Sequence, residues 1–213
     1  MPRRCPLAWL VSLYRDRVVP WLIHHAMRQP RIAAERRRVV PHAQGRVLEI
    51  GIGSGLNLPL YGPAVARVVG IDPSPRLLSR ARAARPAGLA LDLIETGAEA
   101  IPVADGSFDC AVSTWTLCSI PDVAAALAKV RRVLKPGGTF LFIEHGRAAE
   151  ASVARWQDRL NPLWCRCAGG CNMNRPIAAL VADAGLGIER LETGYLDFGP
   201  RVLTYHYAGA ARR

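Results

Sequence analysis

The chain has 213 residues, half of them apolar, and its 28 Lys and Arg against 17 Asp and Glu give a net charge of +11. That composition excludes a disordered or fibrous protein, and the length suits one domain with a substantial core. The charge is not a nucleic-acid signature. All the basic residues except Lys129 and Lys135 are arginine, and no basic stretch interleaves with aromatics on one face.

Leu7, Leu10, Val11, Tyr14, Val18, Trp21 and Leu22 recur at helical spacing, with Arg15, Arg17 and Arg28 alongside and Pro20 interrupting. Such an amphipathic segment either packs over the domain as a lid or lies on a membrane surface. No run reaches the ~20 apolar residues of a membrane span, and no apolar region leads to a signal cleavage site. A cytoplasmic protein is expected, with peripheral membrane contact through this segment as an alternative. Pro30 then opens a second helix, Arg31 to Val40, whose Arg36-Arg37-Arg38 reads as its solvated face.

Strands and helices alternate from there. Arg46 to Ile50 is an apolar strand that breaks into Gly51-Ile52-Gly53-Ser54-Gly55, followed by a short helix stopped by Pro59 and Gly62. Arg67 to Ile71 is a second strand, ending in Asp72. A strand, a glycine turn, a helix N-terminus with free N–H groups and a second strand with a terminal acid together build a nucleoside-binding crevice. The spacing is E-x-G-x-G-x-G and not G-x-G-x-x-G, because the third small position falls on Leu56. Glu49 beside the ligand repels a pyrophosphate and suits a cation bearing an ammonium and a sulfonium. That preference points to S-adenosylmethionine over a nicotinamide dinucleotide.

Pro75 to Arg85 reads as helix, Leu89 to Glu95 and Phe108 to Thr114 as the third and fourth strands. Val123 to Leu134 is a helix ended by Lys135-Pro136-Gly137-Gly138, before a fifth strand from Thr139 to Glu144. Ala148 to Leu160 is helical, Asn161 to Asn174 a loop, and Arg175 to Ala184 helical. Gly187 to Gly194 and Arg201 to Gly209 read as closing strands. The fold expected is α/β: a doubly wound, mostly parallel seven-stranded, Rossmann-like sheet with N-terminal helices and a C-terminal antiparallel strand. One domain is expected over residues 1–213, with 1–45 a helical lid and 46–213 the cofactor-binding and catalytic core.

Of six cysteines, Cys110 and Cys118 flank an apolar strand and read as small buried hydrophobes. No metal is expected at Cys165-x-Cys167-x3-Cys171, which lacks a C-x2-C pair and an obvious fourth ligand.

Glu49-x-Gly51-x-Gly53-x-Gly55, Gly70-Ile71-Asp72-Pro73-Ser74, Ala98-Glu99-x-Ile101-Pro102, Asp105-Gly106-Ser107-Phe108-Asp109 and Leu134-Lys135-Pro136-Gly137-Gly138 together resemble the class I S-adenosylmethionine-dependent methyltransferases. Leu117-Cys118-Ser119, Phe142-Ile143-Glu144-His145, Trp164 and Gly170-Cys171-Asn172-x2-Arg175 resemble, within them, the methyltransferase-like family that methylates alkyl thiols. The resemblance implies that Gly51, Gly53, Ser54 and Gly55 shape the cofactor turn and Glu49 orients it. It implies Asp72 on the ribose hydroxyls, Pro73 against the adenine, and Ala98 and Glu99 at the adenine edge. Gly97 stands where an aspartate is expected, so Glu99 or backbone takes over that role. Thr114 and Leu117 would line the methionine side, and Trp115, Cys118, Trp164, Asn172 and Arg175 the acceptor side.

His145, after the fifth strand, is the expected general base. The activity implied is methyl transfer from S-adenosylmethionine, yielding S-adenosylhomocysteine, to a small hydrophobic acceptor, with a thiol favoured. A quinone-precursor C- or O-methyltransferase, a lipid amine N-methyltransferase and a non-catalytic cofactor-binding regulatory protein are the alternatives.

Overall fold

A computed structural model describes Val18, Trp21 and residues 25–213. The remainder of the amphipathic stripe, with Pro20 and His24, lies outside the described residues.

Seven strands form one sheet in the order β3-β2-β1-β4-β5-β7-β6. They are β1 (Gly45–Ile50), β2 (Val65–Asp72), β3 (Leu91–Glu95), β4 (Phe108–Thr114), β5 (Leu134–His145), β6 (Gly187–Tyr195) and β7 (Tyr205–Arg212). β1 to β5 are parallel, and β7 runs antiparallel between β5 and β6. The expected architecture is the observed one.

The central strands are apolar on both sides, as a sheet covered twice must be. Leu48, Ile50, Phe140 and Phe142 face one core cluster, while Val47, Val68, Leu141 and Ile143 face the other. This is the period-two alternation of a pleated strand. Helices α1 (Pro30–Val39) and α2 (Pro75–Ala83) bring Val39, Leu78 and Ala81 to one cluster. On the opposite face α3 (Val123–Val133) buries Ala126, Leu127, Val130 and Val133, and α5 (Ile177–Asp183) buries Ile177 and Val181.

Three expectations about local structure are corrected. No α-helix follows the glycine turn; a run of turns leads to a single 3-10 turn, Leu58–Leu60. Pro59 and Pro63 lack the N–H groups a longer helix would need, and Gly62 weakens it further. The helix after β5, α4 (Ala151–Cys167), passes through Asn161 and Pro162 instead of stopping at Leu160. Pro162 is exposed, so the carbonyl it leaves unbonded is on the solvent side. Arg201–Thr204 is one helical turn, α6, and the last strand begins only at Tyr205.

Candidate active site

A cavity of about 430 Å³ opens at the C-terminal ends of β1, β2 and β4. Its size falls within the ~300–1,000 Å³ usual for small-molecule sites, and its place is where open parallel sheets bind ligands.

The β1 turn forms one wall. Gly51 (φ +63°) and Gly53 (φ +56°) both have left-handed backbone. A Cβ on Gly51 would stand 2.3 Å from the Thr116 side chain, so that position has no room. A Cβ on Gly53 would meet nothing nearer than the Gly51 carbonyl at 3.9 Å, and Gly53 borders the cavity. The turn therefore leaves an open, backbone-lined cradle. Asp72 closes it: one carboxylate oxygen accepts from Gly53 N at 3.0 Å, the other from Ser74 N at 2.8 Å. Burial raises the Asp72 pKa, and the two backbone donors oppose that rise. Both N–H groups are engaged by Asp72, and the helix N-terminus expected after the β1 turn is not formed.

Glu49 is the polar centre of the floor. It is 2% exposed and accepts from Asn57 Nδ2 and Tyr61 OH, each at 2.8 Å. Burial pushes its carboxyl up to about 7 against these donors and the nearby Arg36 charge, with Asp72 adding to the rise. Asn57 Nδ2 also reaches Thr114 Oγ1 at 3.0 Å, whereas its buried Oδ1 has no partner within the protein. A carboxylate with a deferred charge and an orphaned amide oxygen on one cavity suit a ligand that brings a positive charge and N–H donors.

Beyond β3, Ala98 and Glu99 line the cavity. The Glu99 carboxylate folds back over Gly97, with Oε2 2.8 Å from where a Cβ on Gly97 would stand. An acidic group thus reaches the place from which the missing aspartate would act. Ser54, Pro73, Thr114 and Trp115 also border the cavity. Gly55 and Leu117 do not. Gly55 gives α2 its close approach, since a Cβ there would lie 3.1 Å from Ala81 Cα. Leu117 is fully buried, and its N–H donates to Glu144 at 3.0 Å.

Trp115 is the one non-glycine residue with a left-handed backbone among those described (φ +51°). Arg36 stacks over its ring at 4.8 Å. The solvated-face reading of Arg36 is corrected: it is 4% exposed, borders the cavity, and donates to the Met27 carbonyl at 2.6 Å. Burial lowers its pKa to about 10, with Glu49 opposing the fall. The spacing of Ile32, Arg36 and Val39, all buried on one stripe of α1, is the sequence signal for its inward position.

The other expected acceptor-side residues form a roof anchorage outside the cavity lining. Asn172 N and Nδ2 donate to the Cys118 carbonyl at 2.8 and 3.1 Å. Arg175 donates to the Leu117 carbonyl, and Trp164 Nε1 lies 3.4 Å from Cys171 Sγ. His145 does not border the cavity either; its Nε2 faces Cys171 Sγ at 3.0 Å. Burial opposes a charged His145, but Cys171, Glu144 and the Leu203 backbone outweigh it and hold the pKa above its ordinary value. Glu144 is buried against Ser113 Oγ (2.5 Å) and the N–H groups of Thr116 and Leu117, bracing the segment that follows β4.

Residues 48–142 match the methyltransferase domain family. The human thiol S-methyltransferase TMT1B is 36% identical over 173 residues, 76% of this chain and 70% of that protein. The chain belongs to the S-adenosylmethionine-dependent methyltransferases. The human thiol S-methyltransferase TMT1A is 38% identical over 141 residues; the match covers 63% of this chain and 57% of the relative's length. The phosphatidylethanolamine N-methyltransferase of Cereibacter sphaeroides is 34% identical over 138 residues, 59% of this chain and 68% of the relative. In fold, the methyltransferase resembles the N-methyltransferase NodS from Bradyrhizobium japonicum in complex with S-adenosyl-L-homocysteine. The TM-score is 0.69 at 19% identity, covering 96% of this chain and 97% of that one. No helix among the described residues is long and apolar enough to cross a membrane.

Proposed function

We propose that this methyltransferase methylates the sulfur of a small hydrophobic thiol. The observation that carries the reading is Arg36, a cation buried in the cavity wall over Trp115. A thiol attacks as its thiolate, and a buried positive charge lowers the thiol pKa, with free thiols ionising near ~8.5. The same cation disfavours an ammonium-bearing acceptor. The human relatives TMT1A and TMT1B both bear the name thiol S-methyltransferase, which supports the same acceptor class.

S-Adenosylmethionine, when bound, supplies an electrophilic methyl group on a sulfonium whose departure neutralises charge. In this reading Asp72 and Glu99 hold the nucleoside half, and the Gly51 to Gly53 turn admits it. Glu49 and Asn57 face the cationic half. Thr114 and Trp115 border the path of in-line attack, and Met27 with Arg36 closes the cavity from the α1 side. Holding nucleophile, methyl carbon and leaving sulfur in line contributes roughly 7–11 kcal/mol to such a displacement. A thiolate formed beside Arg36 needs no separate base, so His145 is left with a role outside the transfer itself. The relative named phosphatidylethanolamine N-methyltransferase favours a second reading, a lipid amine acceptor.

The test is S-adenosylhomocysteine release with alkyl and aryl thiols, amines, phenols and phosphatidylethanolamine vesicles run in parallel. Turnover with thiols and none with the rest is expected. Turnover with the vesicles and none with thiols would replace the thiol assignment by the lipid one.

A further inference from the structure

Three ligand-bearing side chains that the transfer reaction leaves unused meet beneath the roof. Cys118 follows β4, His145 ends β5, and Cys171 lies in the loop after α4. Their sulfur and imidazole ligand atoms all lie within 4.8 Å of one another. Both cysteines are free thiols. We propose that Cys118, His145 and Cys171 form a binding site for one zinc ion, held by two thiolates and one imidazole.

The donor set fits the metal. Zinc takes thiolate at ~2.3 Å and imidazole at ~2.0–2.1 Å in tetrahedral geometry, which sets its ligands roughly 3.5 Å apart, within the spread found here. The surroundings fit as well. A metal-bound histidine turns its second ring nitrogen to a carbonyl or carboxylate, and His145 meets the Leu203 backbone in addition to Cys171. Trp164 Nε1 on Cys171 Sγ, and Ser119 Oγ at 3.4 Å from Cys118 Sγ, are positioned to donate to the two thiolates.

Binding involves no redox change. Zn(II) forms two Zn–S bonds and one Zn–N bond, the two thiols release their protons to solvent, and the imidazole enters neutral. Among the described residues no fourth His, Cys, Asp or Glu joins the group, so water or an exogenous thiol completes the tetrahedron. Cys165 and Cys167 lie outside the group although Cys171 is their neighbour in sequence. The ion would pin the roof loop to the ends of β4 and β5, three segments that the chain itself joins only through long connections.

The reduced, chelator-stripped protein is titrated with zinc against a chromophoric competitor, and with cobalt(II) as a spectroscopic substitute. One ion per chain is expected, together with near-ultraviolet thiolate-to-cobalt charge transfer and tetrahedral d–d bands. Zinc should shield the half-buried Cys171 from alkylation, read by peptide mass spectrometry, while labelling of the exposed Cys167 stays the same with and without the ion. Cys118→Ser and Cys171→Ser should each weaken binding by more than the ~10–100-fold cost of an outer-shell change, and Cys167→Ser should leave it unaltered. The alkylation readout needs no variant, so it decides the matter even if a serine variant fails to fold. Equal alkylation of Cys171 with and without zinc, or a cobalt spectrum lacking thiolate charge transfer, would overturn the site.

Discussion

The cavity and the roof anchorage outside its lining are built on different principles. At the cavity, the β1 turn and Asp72 are adjacent across one strand pair, and the lining combines glycine backbone with the carboxylates of Glu49, Asp72 and Glu99. On the roof side, three separated segments are tied by side-chain bonds: Asn172 to the Cys118 carbonyl, Arg175 to the Leu117 carbonyl and His145 to the Cys171 sulfur. A short contiguous motif can specify the first kind of site. The second exists only once the chain has folded, so no short motif announces it.

The sharpest way to break this contrast is Asp72→Ala. In the proposed reading it removes the carboxylate that takes the ribose hydroxyls, through charge-assisted hydrogen bonds worth ~1.5–3 kcal/mol each, and should weaken S-adenosylhomocysteine binding about 100-fold or more by calorimetry. Unchanged affinity would remove Asp72 from the site.

Next in size is a pH effect at Glu49. Its neighbours Asn57, Tyr61, Arg36 and Asp72 leave its carboxyl at about 7, raised by burial. A cationic ligand binds the carboxylate form, so affinity for S-adenosylmethionine should fall about tenfold per pH unit below 7 and level off above it. Glu49→Gln should flatten that slope. The stability of the ligand-free protein moves the opposite way. A carboxyl raised in the folded state contributes fully below its ordinary value of 4.5 and loses that contribution as pH climbs through about 7. Thermal melts of wild type against Glu49→Gln should differ in slope across that window.

Arg36→Met tests the acceptor side. It should shift thiol turnover to higher pH and cost several-fold in kcat/KM at neutral pH, while S-adenosylhomocysteine binding changes little. The smallest effect belongs far from both regions: Asp92→Ala, which breaks the half-exposed Arg67–Asp92 pair, should change stability by ~0–1 kcal/mol and binding not at all.

Sequence made the cofactor side legible because its signals are local. Gly51, Gly53 and Asp72 stand in a strand-turn-strand frame whose spacing already implies their contact. The turn's missing helix was the local error, since Pro59 and Pro63 limit it to one 3-10 turn. Arg36 was hidden by its arginine neighbours, although its stripe with Ile32 and Val39 carried the information. The meeting of Cys118 with Cys171 was not legible, because it depends on α4 running on through Pro162 and returning the chain over the sheet. A proline is a fair stop signal in sequence, and only exposure on a folded surface cancels it.

The sheet order has one more consequence, which concerns local opening. β3 is hydrogen-bonded on one side only and is the least buried of the parallel strands, yet the chain leaving it carries Ala98 and Glu99 to the cavity. The end of the cavity proposed for the adenine therefore hangs from the most easily frayed parallel strand, beside the strand that ends in Asp72. In the ligand-free protein the amides of β3 should exchange with solvent well before those of β1 and β4, and cofactor should slow them far more than any other strand. Ligand binding would then be felt as the closing of an edge.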